Sequence, residues 1–249
     1  MFIILRFMII ALLAAGTTAG AQAASLSVTP VLITMDAEKQ TAALTLKNEG
    51  SESRVIQTEL LRWTQKNGEN IHTSSHDLLV NPPIATLRPG QTQIIRIGLN
   101  RKADKEQELA YRLYVSEVPP PPKEGFTGLR IALRLGIPVF VSPKAKLWGS
   151  LNWKSTRDPD GAVQLTILNN GNHHLLLNSI KVSDPGNGRQ LAESHQAPFT
   201  LLAGQARQIS MPLPANWQGS QLSVVASTEN GSAETILVET KVELEQPAK

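Results

Sequence analysis

Five histidines are the residues of this chain best suited to acid–base or metal chemistry: His72, His76, His173, His174 and His195. His72 and His76 lie four apart in IHTSSHD, a polar stretch read as a loop, where the helical spacing needed to share a metal is not expected. His173 and His174 are neighbours after the turn Asn170-Gly171-Asn172, so all five are expected to be solvated loop residues with no metal. Asp158-Pro159-Asp160-Gly161 begins like a calcium loop but lacks the later ligands and reads as a β-turn. No phosphate-cradling glycine loop, HExxH or GxSxG is present, and no cofactor is implied. Nothing in the chain favours an enzyme.

Recognition is the chemistry that remains, and LRIALRLGIPVFV, Leu129 to Val141, carries its strongest signal. Leu129, Ile131, Leu133, Leu135, Ile137, Val139 and Val141 alternate with Arg130, Ala132, Arg134, Gly136, Pro138 and Phe140. Side chains of a strand alternate between faces, so this is one long aliphatic face with arginines behind it. Its length exceeds the usual strand. Pro138 within it argues for an edge or a bulge, because proline cannot donate to a ladder.

The elements that position this face are strands throughout. SLSVTPVLITM, TAALTLKN, SRVIQTELLRWTQ, QTQIIRIGLN and LAYRLYVSEV are apolar and β-branched at period two, and Asn67-Gly68 and Pro89-Gly90 supply turns. The second half loosely repeats the first. Leu44-Thr45-Leu46-Lys47-Asn48-Glu49-Gly50 is echoed by Leu165-Thr166-Ile167-Leu168-Asn169-Asn170-Gly171, and Leu87-Arg88-Pro89-Gly90-Gln91 by Leu202-Ala203-Gly204-Gln205. The fold class expected is all-β, with two immunoglobulin-like sandwiches set at an angle. Their seam is expected near Ser142-Pro143-Lys144-Ala145-Lys146, giving domains 24–143 and 144–249.

Residues 1–23 have the layout of a secretory signal peptide: an early Arg6, an apolar run through Leu13, and small residues ending Ala21-Gln22-Ala23. The apolar run is short for a membrane span, so no stable membrane insertion is expected. The formal charge of +3 falls to +2 without Arg6, with no basic stripe to suggest nucleic acid. A cysteine-free exported chain must rely on core burial, and a bacterial periplasm is the expected location.

Several motifs occur in a specific order after the leader: Pro82-Pro83, Leu87, Pro89-Gly90, Arg96 in IIRIGL, Glu108 before Tyr111–Tyr114, and Glu117-Val118-Pro119-Pro120 leading into LRIAL. In these the chain resembles the PapD-like periplasmic pilus chaperones of the chaperone–usher pathway, over nearly all of the exported sequence. The resemblance implies that the chain binds fimbrial subunits, completes their open sandwich by lending a strand, prevents premature assembly, and delivers them to an outer-membrane usher. It makes Leu129, Ile131, Leu133 and Leu135 the lent residues, which at roughly 1.5–3 kcal/mol each would contribute about 6–12 kcal/mol before association costs. It also makes Arg96, Glu108 and Glu229 an interdomain ionic network.

The better-known members grip the subunit's terminal carboxylate with two basic residues, at positions that fall here on Pro30 and Pro138. That departure resembles the archaic or alternative branch, which includes spore-coat-U-type systems. Arg96, Arg112 and Arg134 are then the candidate carboxylate anchors. The alternative is a secreted two-domain adhesin or carbohydrate-binding sandwich. It expects exposed aromatics, whereas aromatic residues make up 4% of the chain and the tryptophans are expected at core or seam.

Overall fold

The computed structural model describes residues 26–121, 124–125, 127–129, 131–158, 162–214, 216–230 and 234–245, with the backbone alone at 229, 230, 234–240 and 245. The signal-peptide reading, Arg130 and the turn at 159–161 lie outside these residues.

The described residues contain no helix. The first domain comprises β1 (Leu26–Thr29), β2 (Ile33–Met35), β3 (Thr41–Asn48), β4 (Arg54–Lys66), β5 (Glu69–Ser74), β6 (Leu78–Asn81), β7 (Ile84–Leu87), β8 (Thr92–Leu99), β9 (Leu109–Val118) and β10 (Arg134–Val141). The second comprises β11 (Leu151–Arg157), β12 (Val163–Asn169), β13 (Leu175–Ser183), β14 (Gln190–Glu193), β15 (Phe199–Leu201), β16 (Ala206–Met211), β17 (Gln221–Asn230) and β18 (Glu234–Glu245).

In the first sandwich a sheet ordered β1-β3-β8-β6 faces one ordered β2-β10-β9-β4-β5, with β7 on β4. The period-two pattern explains the burial. Leu44 and Leu46 of β3, Ile95 and Ile97 of β8, Ile56 of β4, and Leu113 and Val115 of β9 enter one core, together with Ile137, Val139 and Val141 of β10. The chain changes sheets at Pro30: β1 pairs with β3, while β2 pairs in parallel with β10. A proline at the crossing suits this, since a residue without an N–H interrupts either ladder.

The second sandwich follows the path β14-β13-β17-β18-β11-β12-β16 and encloses its own core, with Val163, Leu165 and Ile167 of β12 facing Leu177, Val182 and Val224. The internal echo is a shared piece of architecture. Asn48 is buried, its Nδ2 donating to the carbonyls of Leu87 and Glu52 while its Oδ1 accepts from Gly50. Asn169 does the same with Leu201, His173 and Gly171. Gly90 and Gly204, at φ of 72° and 71°, turn the returning segment so that each amide reaches the carbonyl of its asparagine.

Candidate functional site

β10 is where the apolar alternation resides, and its burial falls steadily toward its start. Val141 and Val139 are fully buried and Ile137 is 4% exposed, while Leu135 and Leu133 are half-buried against the same core. Ile131 is 83% and Leu129 86% exposed, so the end of the aliphatic face reaches past the sandwich. Strand β2 covers β10 only at Val139–Val141, so among the described residues the other edge of β10 is open through Pro138, as proline within the run suggests. Leu133 and Leu135 already lose part of their exposure at home. The full transfer estimate therefore applies to Leu129 and Ile131 alone, about 3–6 kcal/mol before ordering and association costs.

Glu117 fixes the point at which the exposed segment departs. Its amide donates to the carbonyl of Leu133 at 2.8 Å, and its Oε2 accepts from the Leu133 amide at 3.2 Å. Its Oε1 accepts from Arg54 of β4. The β9 pairing is thus carried past the start of β10 and held by a charged side chain.

The outward face of this sheet is lined with rings and guanidinium groups, because the positions between the core residues of β4, β9 and β10 are occupied by Trp63, Arg112, Tyr114, Arg134 and Phe140. Arg112 stands opposite Pro138 and Tyr114 opposite Gly136 in the β9–β10 register. The Arg112 guanidinium lies 4.2 Å above the Trp63 ring and donates to the Gly136 carbonyl at 3.2 Å. Burial draws its pKa below the usual guanidinium value. Arg134 lies 4.0 Å above Tyr114 and 3.6 Å from Glu59. Gly136 leaves room for this arrangement, since a Cβ there would stand 3.1 Å from Tyr114 Cε1 and 3.3 Å from Arg112 Cδ.

The second domain packs against one end of this face. Leu202 joins Trp63, Ala110 and Phe140 in a small apolar cluster. Gln65 Nε2 donates to the Thr200 carbonyl at 2.8 Å, and the Leu202 amide donates to Gln65 Oε1 at 2.9 Å. Phe140 stacks on His174 with ring centres 3.5 Å apart. Glu108 Oε2 accepts from the His174 amide at 2.8 Å and lies 2.7 Å from its Nδ1.

Three expectations need correction. Arg96 sits between Ile95 and Ile97, which fill the core, so it is exposed on the outside of the opposite sheet. It makes no ion pair among the described residues and belongs neither to the seam nor to the Arg112–Arg134 face. Glu108 crosses the seam to His174 and makes no pair with Arg96; Glu229, whose backbone on β17 pairs with Leu176 of β13, has its side chain outside the described residues, so the expectation for it stands neither corrected nor met. The histidines are not all solvated: IHTSSHD is mostly strand β5, His72 is half-buried on it opposite Trp63, and His173 and His174 are buried at the seam. Trp63 and Trp217 are buried as expected, Trp153 is half-buried, and Trp148 is exposed.

Two sandwiches meeting at a seam, one of them presenting an overlong apolar edge, define a pilus-chaperone architecture. Residues 25–146 match the family model described as pili and flagellar-assembly chaperone, PapD N-terminal domain. This first domain belongs to that family, and the chain as a whole is similar to the PapD-like pilus chaperones. It is 26% identical over 196 residues to chaperone protein FimB/FhaD of Bordetella pertussis, covering 74% of this chain and 76% of that one. Among solved structures it is similar to the CsuC–CsuE chaperone–tip adhesion subunit pre-assembly complex of the archaic Csu pili of Acinetobacter baumannii (TM-score 0.67, 18% identity, 89% of this chain and 100% of that one). It is also similar to the Salmonella enterica SafA pilin–SafB chaperone complex (TM-score 0.61, 16% identity, 89% and 99%). These likenesses do not favour the adhesin alternative.

Proposed function

We propose that this protein captures fimbrial subunits in the periplasm by lending them the segment from Leu129 to Leu135, and then passes them to an outer-membrane usher. The observation that carries the reading is the burial gradient along one alternating face, from fully buried Val141 to 86% exposed Leu129, on a strand whose edge is open. An incomplete sandwich offers the complement: an unpaired edge for the main chain and a groove for alternate side chains. Leu129 and Ile131 gain most from that groove, and Leu133 and Leu135 continue the register into the chaperone's own core.

Arg112 and Arg134 are the residues proposed to seat the subunit's terminal carboxylate. Pro30 and Pro138 cannot do so, and Arg112 stands directly across the ladder from Pro138, so the missing cation is offered one strand away. A guanidinium braced on a ring keeps donors free for a bidentate contact. The absence of a cation at Pro30 and Pro138 is the ground for reading the chain with the archaic or alternative branch. The domain limits 24–143 and 144–249, after a leader of 1–23, belong to the same proposal.

The test is co-expression with a candidate fimbrial subunit, followed by purification through a tag on the chaperone. Recovery of the subunit in equal amounts, and its loss to degradation when expressed alone, are expected. A subunit that accumulates to the same level without the chaperone and never co-purifies would contradict the reading.

A further inference from the structure

His72 is the titratable group of the Arg112–Arg134 face that the proposed capture does not use. It projects from β5 and meets both rings that brace the guanidinium groups: Tyr114 edge-on at 5.7 Å and Trp63 at 6.2 Å between ring centres. Its Nδ1 lies 3.5 Å from the Tyr114 hydroxyl, and its Nε2 is buried with no partner among the described residues. A ring nitrogen with no partner inside a basic face is an incomplete arrangement, and a negative charge arriving there would change which form of the imidazole is favoured.

We infer that His72 takes up a proton when a carboxylate binds between Arg112 and Arg134, so that capture of a carboxylate-terminated chain tightens as pH falls. This rests on the reading of Arg112 and Arg134 as the carboxylate seat. The charged and titratable groups acting on His72 are Arg112 and the Tyr114 phenol from β9 and Arg134 from β10; Glu59 of β4 stands opposite Tyr114 and is tied to Arg134 at 3.6 Å. In the free protein burial first, and then the charges of Arg112 and Arg134, hold His72 below the ordinary imidazole value. A carboxylate would oppose both guanidinium charges and remove part of that penalty.

The sign follows from linkage. The bound state holds more protons than the free state between the depressed free value and the restored bound value of His72. Affinity therefore rises as pH falls through that window and levels off on either side. The peptide carboxylate stays ionised throughout, since α-carboxyl groups titrate at about 3.3–3.7. The gain in affinity across the window is set by the difference between the free and bound values, at about tenfold per pKa unit.

The probe is a short synthetic peptide alternating valine and threonine, prepared with a free C-terminal carboxylate and as the C-terminal amide. Binding of both forms to the full chain is measured at about pH 8 and about pH 5.5, the range over which histidine titrates. The carboxylate-to-amide affinity ratio is expected to grow up to about tenfold at the lower pH. In His72→Gln that growth is expected to vanish. In the wild-type protein, the His72 ring resonances should titrate at higher pH with the carboxylate peptide than with the amide.

A ratio independent of pH, the same growth in His72→Gln, or an unmoved His72 titration would each overturn the inference. Arg112→Ala and Arg134→Ala separate it from the seat itself. If either abolishes the carboxylate preference, the seat stands whatever His72 does. If neither does, or if carboxylate and amide bind alike, the seat fails and the proton linkage fails with it.

Discussion

Glu108 Oε2 receives the His174 amide at 2.8 Å and faces the His174 Nδ1 at 2.7 Å, so a single carboxylate oxygen joins the two domains. A carboxylate accepts, which makes Nδ1 the protonated nitrogen. Both side chains are nearly withdrawn from solvent, at 5% and 11% exposure, and Phe140 caps the imidazole face. The seam is therefore held by a histidine that is both stacked and hydrogen-bonded.

Glu108→Ala leaves the His174 donors buried without an acceptor, at a cost of about 1–3 kcal/mol for each group left unpaired. The loss falls on the seam and leaves both cores intact. Small-angle scattering should show a broader distribution of overall dimensions, with the secondary structure unchanged by circular dichroism. Arg96→Ala, on the far sheet, should scatter like the wild type.

Asn48 and Asn169 organise equivalent corners of the two sandwiches, each making three side-chain hydrogen bonds while fully buried. Removing either side chain strands two carbonyls and a glycine amide, with a penalty of about 1–3 kcal/mol for each group that water does not reach. Asn48→Ala should lower the unfolding midpoint of the first domain, and Asn169→Ala that of the second. Domain-resolved amide exchange distinguishes the two outcomes.

Gly136→Val should spare the fold but disturb the basic face. Its Cβ would lie 3.1 Å from the Tyr114 ring and 3.3 Å from Arg112, and the further methyl groups would push both side chains away. The expected result is an unfolding curve close to the wild type, with loss of the preference for a carboxylate-terminated peptide over its amide.

Glu117→Ala frees Arg54 and the Leu133 amide together. Stability should fall by about 1–3 kcal/mol, read by urea unfolding. Exchange at the Leu133 amide should quicken while the amides of Val139 and Val141 stay protected.

Much of the fold was legible because period two tells core from surface one residue at a time. IIRIGL already contained the correction to Arg96: if Ile95 and Ile97 point inward, Arg96 points outward on the same strand, whatever motif it matches. The Asn–Gly echo likewise announced a shared corner, because an asparagine before a turn glycine can bond the backbone of that turn. The surroundings of the histidines are not legible locally because their partners lie far away in the sequence. Glu108 and His174 are separated by 66 residues, and His72 and Tyr114 by 42. Aromatic and basic residues at the non-core positions of LAYRLYV and LRLGIPVF were the available sign that the outer face has work to do. Which of them stack together depends on the register between strands, and no single strand contains that information.

The central claim is that Leu129 and Ile131 are lent rather than kept, and one double substitution tests it most directly. At 86% and 83% exposure these side chains contribute little to their own fold, so Leu129→Asp with Ile131→Asp should leave the unfolding free energy within about 0.5 kcal/mol of the wild type. The same protein, co-expressed with its fimbrial subunit, should recover no subunit on purification. Capture at the wild-type level by the folded double variant would contradict the account.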